Sequence, residues 1–332
     1  MKISPGKINH NIDKELNPYP NITKLIEEDI LDTSQKMVQD FQLIRAKNGV
    51  YVYRCNYGGI PAVVKYLEKE SDRREILNYQ ILAQCGIPTI KIYAMANASI
   101  VMEDISLSED WRLGEAKDLD DTDVSKSLAH WYFIFHERGI NAPGLNKLYF
   151  EYDRITKDSL NMLLQKFPEA KEVFEFILCH YDRLQKLIYK PSFTLTYNDF
   201  YWVNFIVRKD KKEAIMFDYN LLGKGYRFSD FRNVCWSMSN DAKSAFVGEY
   251  NRLHLEKHGH TRTEAENLEQ IIDDVASELF TLIVAFADHE NEPGWVKDSK
   301  ENALSGALLA KARACLLCES ICTSSASVQG VT

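Results

Sequence analysis

The stretch 194–234 holds three side chains whose types and spacing could do chemistry. Asp199 lies in a polar loop, Asn204 follows five residues later, and Asp218 closes an apolar run. The setting reads as a short apolar strand, the loop, a strand at Phe205-Ile206-Val207, a charged turn, and a last strand from Ala214 to Phe217. A loop followed by a hairpin brings the three together. Phosphoryl transfer wants such a trio. One carboxylate orients a hydroxyl and accepts its proton, while another carboxylate and an amide oxygen hold Mg2+ against nucleotide phosphates. Asp199 fits the first role, and Asn204 and Asp218 fit the second. The competing reading is a polar hairpin whose acids cap turns, and the order and spacing of the residues weigh against it.

These residues carry a resemblance. Tyr197-Asn198-Asp199 with Asn204, followed by Phe217-Asp218-Tyr219, resembles the aminoglycoside phosphotransferase and choline kinase group. These are small-molecule kinases with a protein-kinase-like fold. Their usual signature is H-x-D-x-x-x-x-N, then a strand ending in aspartate. Tyr197 departs from it, standing where the family usually has a histidine that mostly supports the loop. Asp230, in Arg227-Phe228-Ser229-Asp230, matches the family aspartate that braces the catalytic loop. The resemblance implies an α+β, bilobal fold with an antiparallel-sheet N-lobe over 1–104 and a mainly helical C-lobe over 105–332. It implies Mg2+ and ATP as cofactors, with GTP also open.

The N-terminal third must position the nucleotide. From Phe41 the pattern turns strand-like, and Lys47-Asn48-Gly49 signals a turn. Val50 to Cys55 and Ala62 to Leu67 read as two further strands, separated by Tyr57-Gly58-Gly59. In a kinase-like small lobe, Asn48-Gly49 would cover phosphates, because glycine lets backbone N–H groups come close. Lys65, on the third strand, would neutralise phosphate charge while a helix glutamate holds it. Glu75 is that candidate, on a helix expected over 72–84. Residues 90–93 and 99–102 read as a hairpin. Glu103-Asp104-Ile105 resembles the hinge whose backbone binds the adenine edge.

The remainder reads as mostly helical. A polar loop at 108–112 and an acidic run at 118–123 read as solvated. A helix over 123–138 presents Leu128, Trp131, Tyr132 and Phe135, with His136 structural. Periodic apolar residues fill 160–189, another helix is expected to begin at Val234, and Leu268 to Ile283 marks a further one. His254, His258 and His260 read as a solvated helix end rather than a metal site. Residues 1–20, interrupted by three prolines, read as an extended arm, and 323–332 as a frayed tail.

Composition bounds the rest. At 332 residues, with 45% hydrophobic and 27% charged residues, the chain can bury a large core. A net charge of −8 argues against nucleic acid as the main partner. Seven scattered cysteines read as reduced thiols, and Cys315, Cys318 and Cys322 as one helix face. No signal-peptide or membrane-spanning run appears, so a cytoplasmic protein is expected.

The implied activity is in-line transfer of the γ-phosphoryl group from ATP to a small-molecule hydroxyl. Tyr201 and Trp202 could stack on a sugar or help cage a quaternary ammonium, or simply pack in the core. Glu264, Glu266, Asp273 and Asp274 could bind a polyamine acceptor or form the wet face of a helix. Aminoglycosides, amino alcohols and sugars stay open as acceptors, and the oligomeric state is open too. The alternative is a kinase-like protein that binds nucleotide with little or no catalysis. A protein kinase fits less well, since neither an Ala-Pro-Glu segment nor a multi-glycine loop is present.

Overall fold

The structure is a computed structural model that describes residues 18–261 and 263–317. Most of the expected arm, the tail, Cys318 and Cys322 lie outside the described residues, as do the side chains of Glu264 and Glu266. The described residues fall into two compact units. One comprises 18–144, 197–222 and 233–253, and the other 145–196, 223–232 and 254–317. Neither ends at residue 104.

The first unit opens with helix α1 (Pro20–Ser34), which Pro20 starts. Strands β1 (Val38–Lys47), β2 (Val50–Tyr57) and β3 (Ile60–Leu67) follow. Helix α2 (Arg74–Cys85) comes next, preceded by a 3-10 turn at Glu70–Arg73. Strands β4 (Ile92–Met95) and β5 (Ser99–Glu103) complete an antiparallel sheet of order β1-β2-β3-β5-β4. Alternation along the strands gives the sheet two faces. Tyr53, Cys55, Val64 and Tyr66 pack beneath Ile22, Ile26 and Ile30 of α1. Val52, Val63 and Lys65 take the opposite phase.

The loop expected at 108–112 contains strand β6 (Trp111–Leu113), and helix α3 (Thr122–Gly139) follows. The chain then passes through the second unit as α4 (Lys157–Lys166), α5 (Lys171–Cys179), α6 (Tyr181–Ile188) and β7 (Thr194–Thr196). It re-enters the first unit with β8 (Phe205–Arg208) and β9 (Ala214–Met216). This hairpin pairs with β6 in a separate three-stranded sheet, and the 197–222 segment falls in the same unit as the N-terminal sheet, which therefore does not stop at 104. Gly114, next to β6, is required there. A Cβ would lie 2.3 Å from Trp202 O, and the Gly114 N–H donates to Phe205 O at 2.9 Å.

The second unit adds β10 (Gly223–Gly225), antiparallel to β7. Helix α7 (Arg227–Ser237) starts in this unit, so Val234 lies within a helix rather than beginning one. The next helix, α8 (Asn240–His258), starts after a break. Then come α9 (Glu264–Ala287), α10 (Lys297–Leu304) and α11 (Ala307–Leu317). The core of this unit joins Leu160, Phe174, Leu184, Leu279, Leu282 and Leu316. Among the described residues no helix is long and apolar enough to cross a membrane.

Candidate active site

Lys65 stands at the centre of the ionic contacts. Its Nζ lies 2.6 Å from Glu75 Oε2 and 2.8 Å from Asp218 Oδ1. Glu75 comes from the first turn of α2, where the helix dipole favours a carboxylate. Burial pulls the Lys65 ammonium down, but Glu75 and Asp218 outweigh it and hold the group above its ordinary range. Burial pushes the Glu75 carboxyl up to about 7 against the opposing pull of Lys65, and nearby Asp218 adds to the rise.

The loop before β8 is built on backbone anchors. The Tyr197 hydroxyl donates to Phe217 O and, at 3.2 Å, to Asp218 O. Its ring is fully buried, edge-on to Trp131 and Tyr219. Asn198 Nδ2 donates to Leu221 O at 3.0 Å, and Asn78 Nδ2 of α2 donates to Tyr219 O at 2.7 Å. Asn204 is buried, and its Nδ2 donates to Asp199 O (3.0 Å) and Asp199 Oδ2 (3.1 Å). That orientation leaves the Asn204 amide oxygen for another partner. The Phe217 N–H donates to Asn204 O at 2.9 Å, tying the loop to the end of β9. Asp218 then turns the chain at φ 63°, a left-handed conformation that aspartate tolerates better than most residues. Burial, reinforced by Asp218, pushes the Asp199 carboxyl up to about 6 against the pull of Asn204 and Lys65.

A cleft of about 630 Å3 runs along the sheet face that α1 leaves open. Lys65, Glu75, Asn204 and Asp218 line it, as do Glu103, Asp104 and Ile105. Val50, Val52, Val63, Met102 and Phe217 supply apolar walls. At 103–105 the Glu103 N–H donates to Lys91 O, and Asp104 accepts from Arg54 Nε at 3.0 Å and from the Ser106 N–H at 3.0 Å. Asn48 lines the cleft, whereas the Gly49 carbonyl accepts from the Glu68 N–H.

Other candidates lie elsewhere. Tyr201 is exposed and Trp202 half-buried, their rings 5.6 Å apart, and neither lines the cleft. Asp230 is buried in the first turn of α7, in the second unit. The expected wet helix face does not hold at Asp273, which is fully buried. It accepts from Tyr152 Oη, from Ser229 Oγ at 2.7 Å and from Arg232 Nε at 2.7 Å. The acidic run is not wholly solvated either: buried Asp118 binds Arg112 through two 2.7 Å bonds. His136 is buried, with Nδ1 3.0 Å from Tyr250 Oη, in keeping with a structural role. The rings of His254, His258 and His260 lie near one another, tilted or edge-on. His258 and His260 are exposed but His254 is buried, so the expected solvated helix end does not hold there, and among the described residues there is no metal-holding group of three His, Cys, Asp or Glu. Asn78 and Arg54 carry no sequence motif and were not expected.

No protein-family model matches the sequence, and no curated protein matches it significantly. Solved structures do match in shape. The choline kinase LicA from Streptococcus pneumoniae is 16% identical, with a TM-score of 0.55 over 87% of this chain and 99% of that one. The ADP-bound aminoglycoside phosphotransferase APH(2'')-Ib is 16% identical, with a TM-score of 0.57 over 90% and 99%. A Plasmodium vivax ethanolamine kinase is 13% identical, with a TM-score of 0.51 over 82% and 84%. The chain thus has the kinase-like fold that choline kinases and aminoglycoside phosphotransferases share.

Proposed function

We propose that the chain is a small-molecule kinase that transfers the γ-phosphoryl group of ATP to an acceptor hydroxyl. The observation that carries this reading is the meeting of Lys65, Glu75, Asp218 and Asn204 in one cleft, with Asp199 bonded to Asn204. The apolar walls and the 103–105 backbone suit a purine base.

In this reading Lys65, clamped by Glu75, neutralises phosphate charge. Asp199 orients the acceptor hydroxyl. The hydroxyl oxygen bonds to the γ-phosphorus as the bond to the β-phosphate oxygen breaks, and ADP leaves. Asp199 takes the hydroxyl proton late and returns it to solvent. Asn204 and Asp218 are the residues that would hold Mg2+. They fit it, since an amide oxygen free of Asp199 and a carboxylate are the hard oxygen donors this ion takes, with water and phosphate completing its shell. The ion would supply charge neutralisation on the phosphates. Tyr197 and Asp230 are positioning residues in this scheme.

The acceptor is an alcohol of the aminoglycoside, amino-alcohol or sugar class. An ADP-release assay across these classes tests the reading, run beside Asp199→Asn. General-base assistance is worth about 10²- to 10⁴-fold, so the variant should lose turnover on that scale. Its MgATP affinity should stay within about twofold of wild type, because Asp199 faces the acceptor. Wild-type turnover by the variant would remove Asp199 from its role. Binding of MgATP without ADP release for any acceptor would leave a nucleotide-binding protein.

A further inference from the structure

The β1–β2 hairpin carries charge where a phosphate-covering loop would carry glycine. Its turn is only Asn48 and Gly49, both at positive φ (54° and 88°), the conformation of a tight two-residue hairpin. The Gly49 carbonyl accepts from the Glu68 N–H at 2.9 Å, so the tip is pinned to the chain leaving β3. Such a turn offers too few free backbone N–H groups to wrap a polyphosphate.

The side chains beside it do reach the cleft, and a bulge puts them there. Strand β1 pairs Leu43 with Tyr53 and then Arg45 with Val52, leaving Ile44 as an extra residue. Leu43 packs against the core cluster that holds Tyr53. With regular alternation Arg45 and Lys47 would share that face. The extra residue reverses the phase, as bulges do when they re-aim a side chain. Arg45 and Lys47 accordingly line the cleft, together with Val50 and Val52.

Register fixes how far they stand from the ion-pair cluster. Strand β2 pairs Val52 with Lys65, so Arg45, Val52 and Lys65 form one row across three strands. At the usual strand spacing Arg45 lies about 10 Å from Lys65. Lys47 pairs with Val50, which pairs with Leu67, one step further from the 103–105 end, because Glu103 is opposite Ala62. A nucleotide with its base at 103–105 and its first phosphates at Lys65 would extend its terminal phosphates toward this row. Arg45 and Lys47 are both exposed, and neither enters an ion pair or side-chain hydrogen bond among the described residues.

We propose that Arg45 and Lys47 bind the terminal phosphates of the nucleotide, replacing the backbone cradle of a glycine-rich loop with side-chain cations. This rests on the nucleotide reading above and names the hairpin residues that recognise the polyphosphate. An arginine fork suits phosphate oxygens, and the lysine adds a point charge.

The test is calorimetric titration of MgATP, MgADP and AMP into wild type and an Arg45→Gln/Lys47→Gln double variant. Each cation should contribute about tenfold to MgATP affinity, so the double variant should bind it about 100-fold more weakly. AMP, which ends before this row, should bind both proteins within about twofold. An Arg45→Lys/Lys47→Arg variant should retain most of the MgATP affinity, and all variants should melt with wild type in the absence of ligand. Unchanged MgATP affinity in the Gln variant would overturn the inference, as would an equal loss for AMP. Wild type that binds none of the three nucleotides would overturn the parent reading, and this one with it, before any variant is made.

Discussion

At the scale of single residues, Tyr197 decides how firmly Asp218 is held. Its hydroxyl serves two successive carbonyls, Phe217 O and Asp218 O, from inside an aromatic cluster. Tyr197→Phe keeps the packing and removes the donor. Two partly buried carbonyls then lose the donor they share, which should cost about 1–3 kcal/mol in a urea unfolding experiment. MgATP affinity should fall in the same variant, because the backbone that carries Asp218 loosens. A variant as stable as wild type, with unchanged affinity, would reduce Tyr197 to packing. The residues legible in the sequence, Asp199, Asn204 and Asp218, sit within one loop and hairpin at short spacing. Asn78 and Arg54 were invisible for the converse reason: their partners Tyr219 and Asp104 lie 141 and 50 residues away. Nothing local marks an asparagine on a helix as a backbone anchor.

At the scale of elements, the strands were legible from β-branched and aromatic runs, and the Asn48-Gly49 turn from its own chemistry. The bulge in β1 was not. An extra residue changes which face a side chain takes, and Ile44-Arg45 reads equally well in either phase. Polar clusters misled in the second unit too. Glu151 belongs to the turn Glu151–Arg154, with the charged groups Arg232, Asp273 and Asp230 around it. Burial, together with Asp273 and Asp230, pushes its carboxyl up to about 7 from an ordinary 4.5, against the pull of Arg232. A raised carboxyl means that the folded state binds the proton more tightly than the unfolded one. Stability is therefore lost as pH rises from about 4.5 through about 7, and the cost is complete above that. Glu151→Gln removes the titration. The variant should gain about 2 kcal/mol relative to wild type between about pH 5 and about pH 8, allowing for partial solvent access. Urea unfolding at both pH values measures this directly. A stability difference that is the same at both would show that Glu151 is ionised at no cost in the fold.

At the scale of the whole molecule, the antiparallel sheet and the helical remainder follow from pattern, but the division into units does not. It involves long-range contacts such as the pairing of β6, three residues in a polar stretch, with β8 nearly a hundred residues later. Lys65 with Asp218 and Asn78 with Tyr219 hold the 197–222 segment against the sheet that carries Lys65 and against α2, and every wall of the cleft belongs to the first unit. A ligand in the cleft must therefore stabilise this unit directly. At about 100 times its Kd, MgATP should add about 2.7 kcal/mol, slowing by about 100-fold those amides whose exchange requires the cleft to open. Hydrogen exchange should show this protection along β2 and β3, at 102–105 and at 217–219. Omitting Mg2+ should remove much of it at 217–219, and Asp218→Asn should behave as wild type does without Mg2+. The β2–β3 and 102–105 amides should keep their protection in that variant, since base and Lys65 contacts do not require the ion. Full Mg2+-dependent protection in Asp218→Asn would sink the assignment of Asp218. Protection at 217–219 without any at 102–105 would sink the placement of the base, because a nucleotide held only by its phosphates leaves that end of the cleft to water.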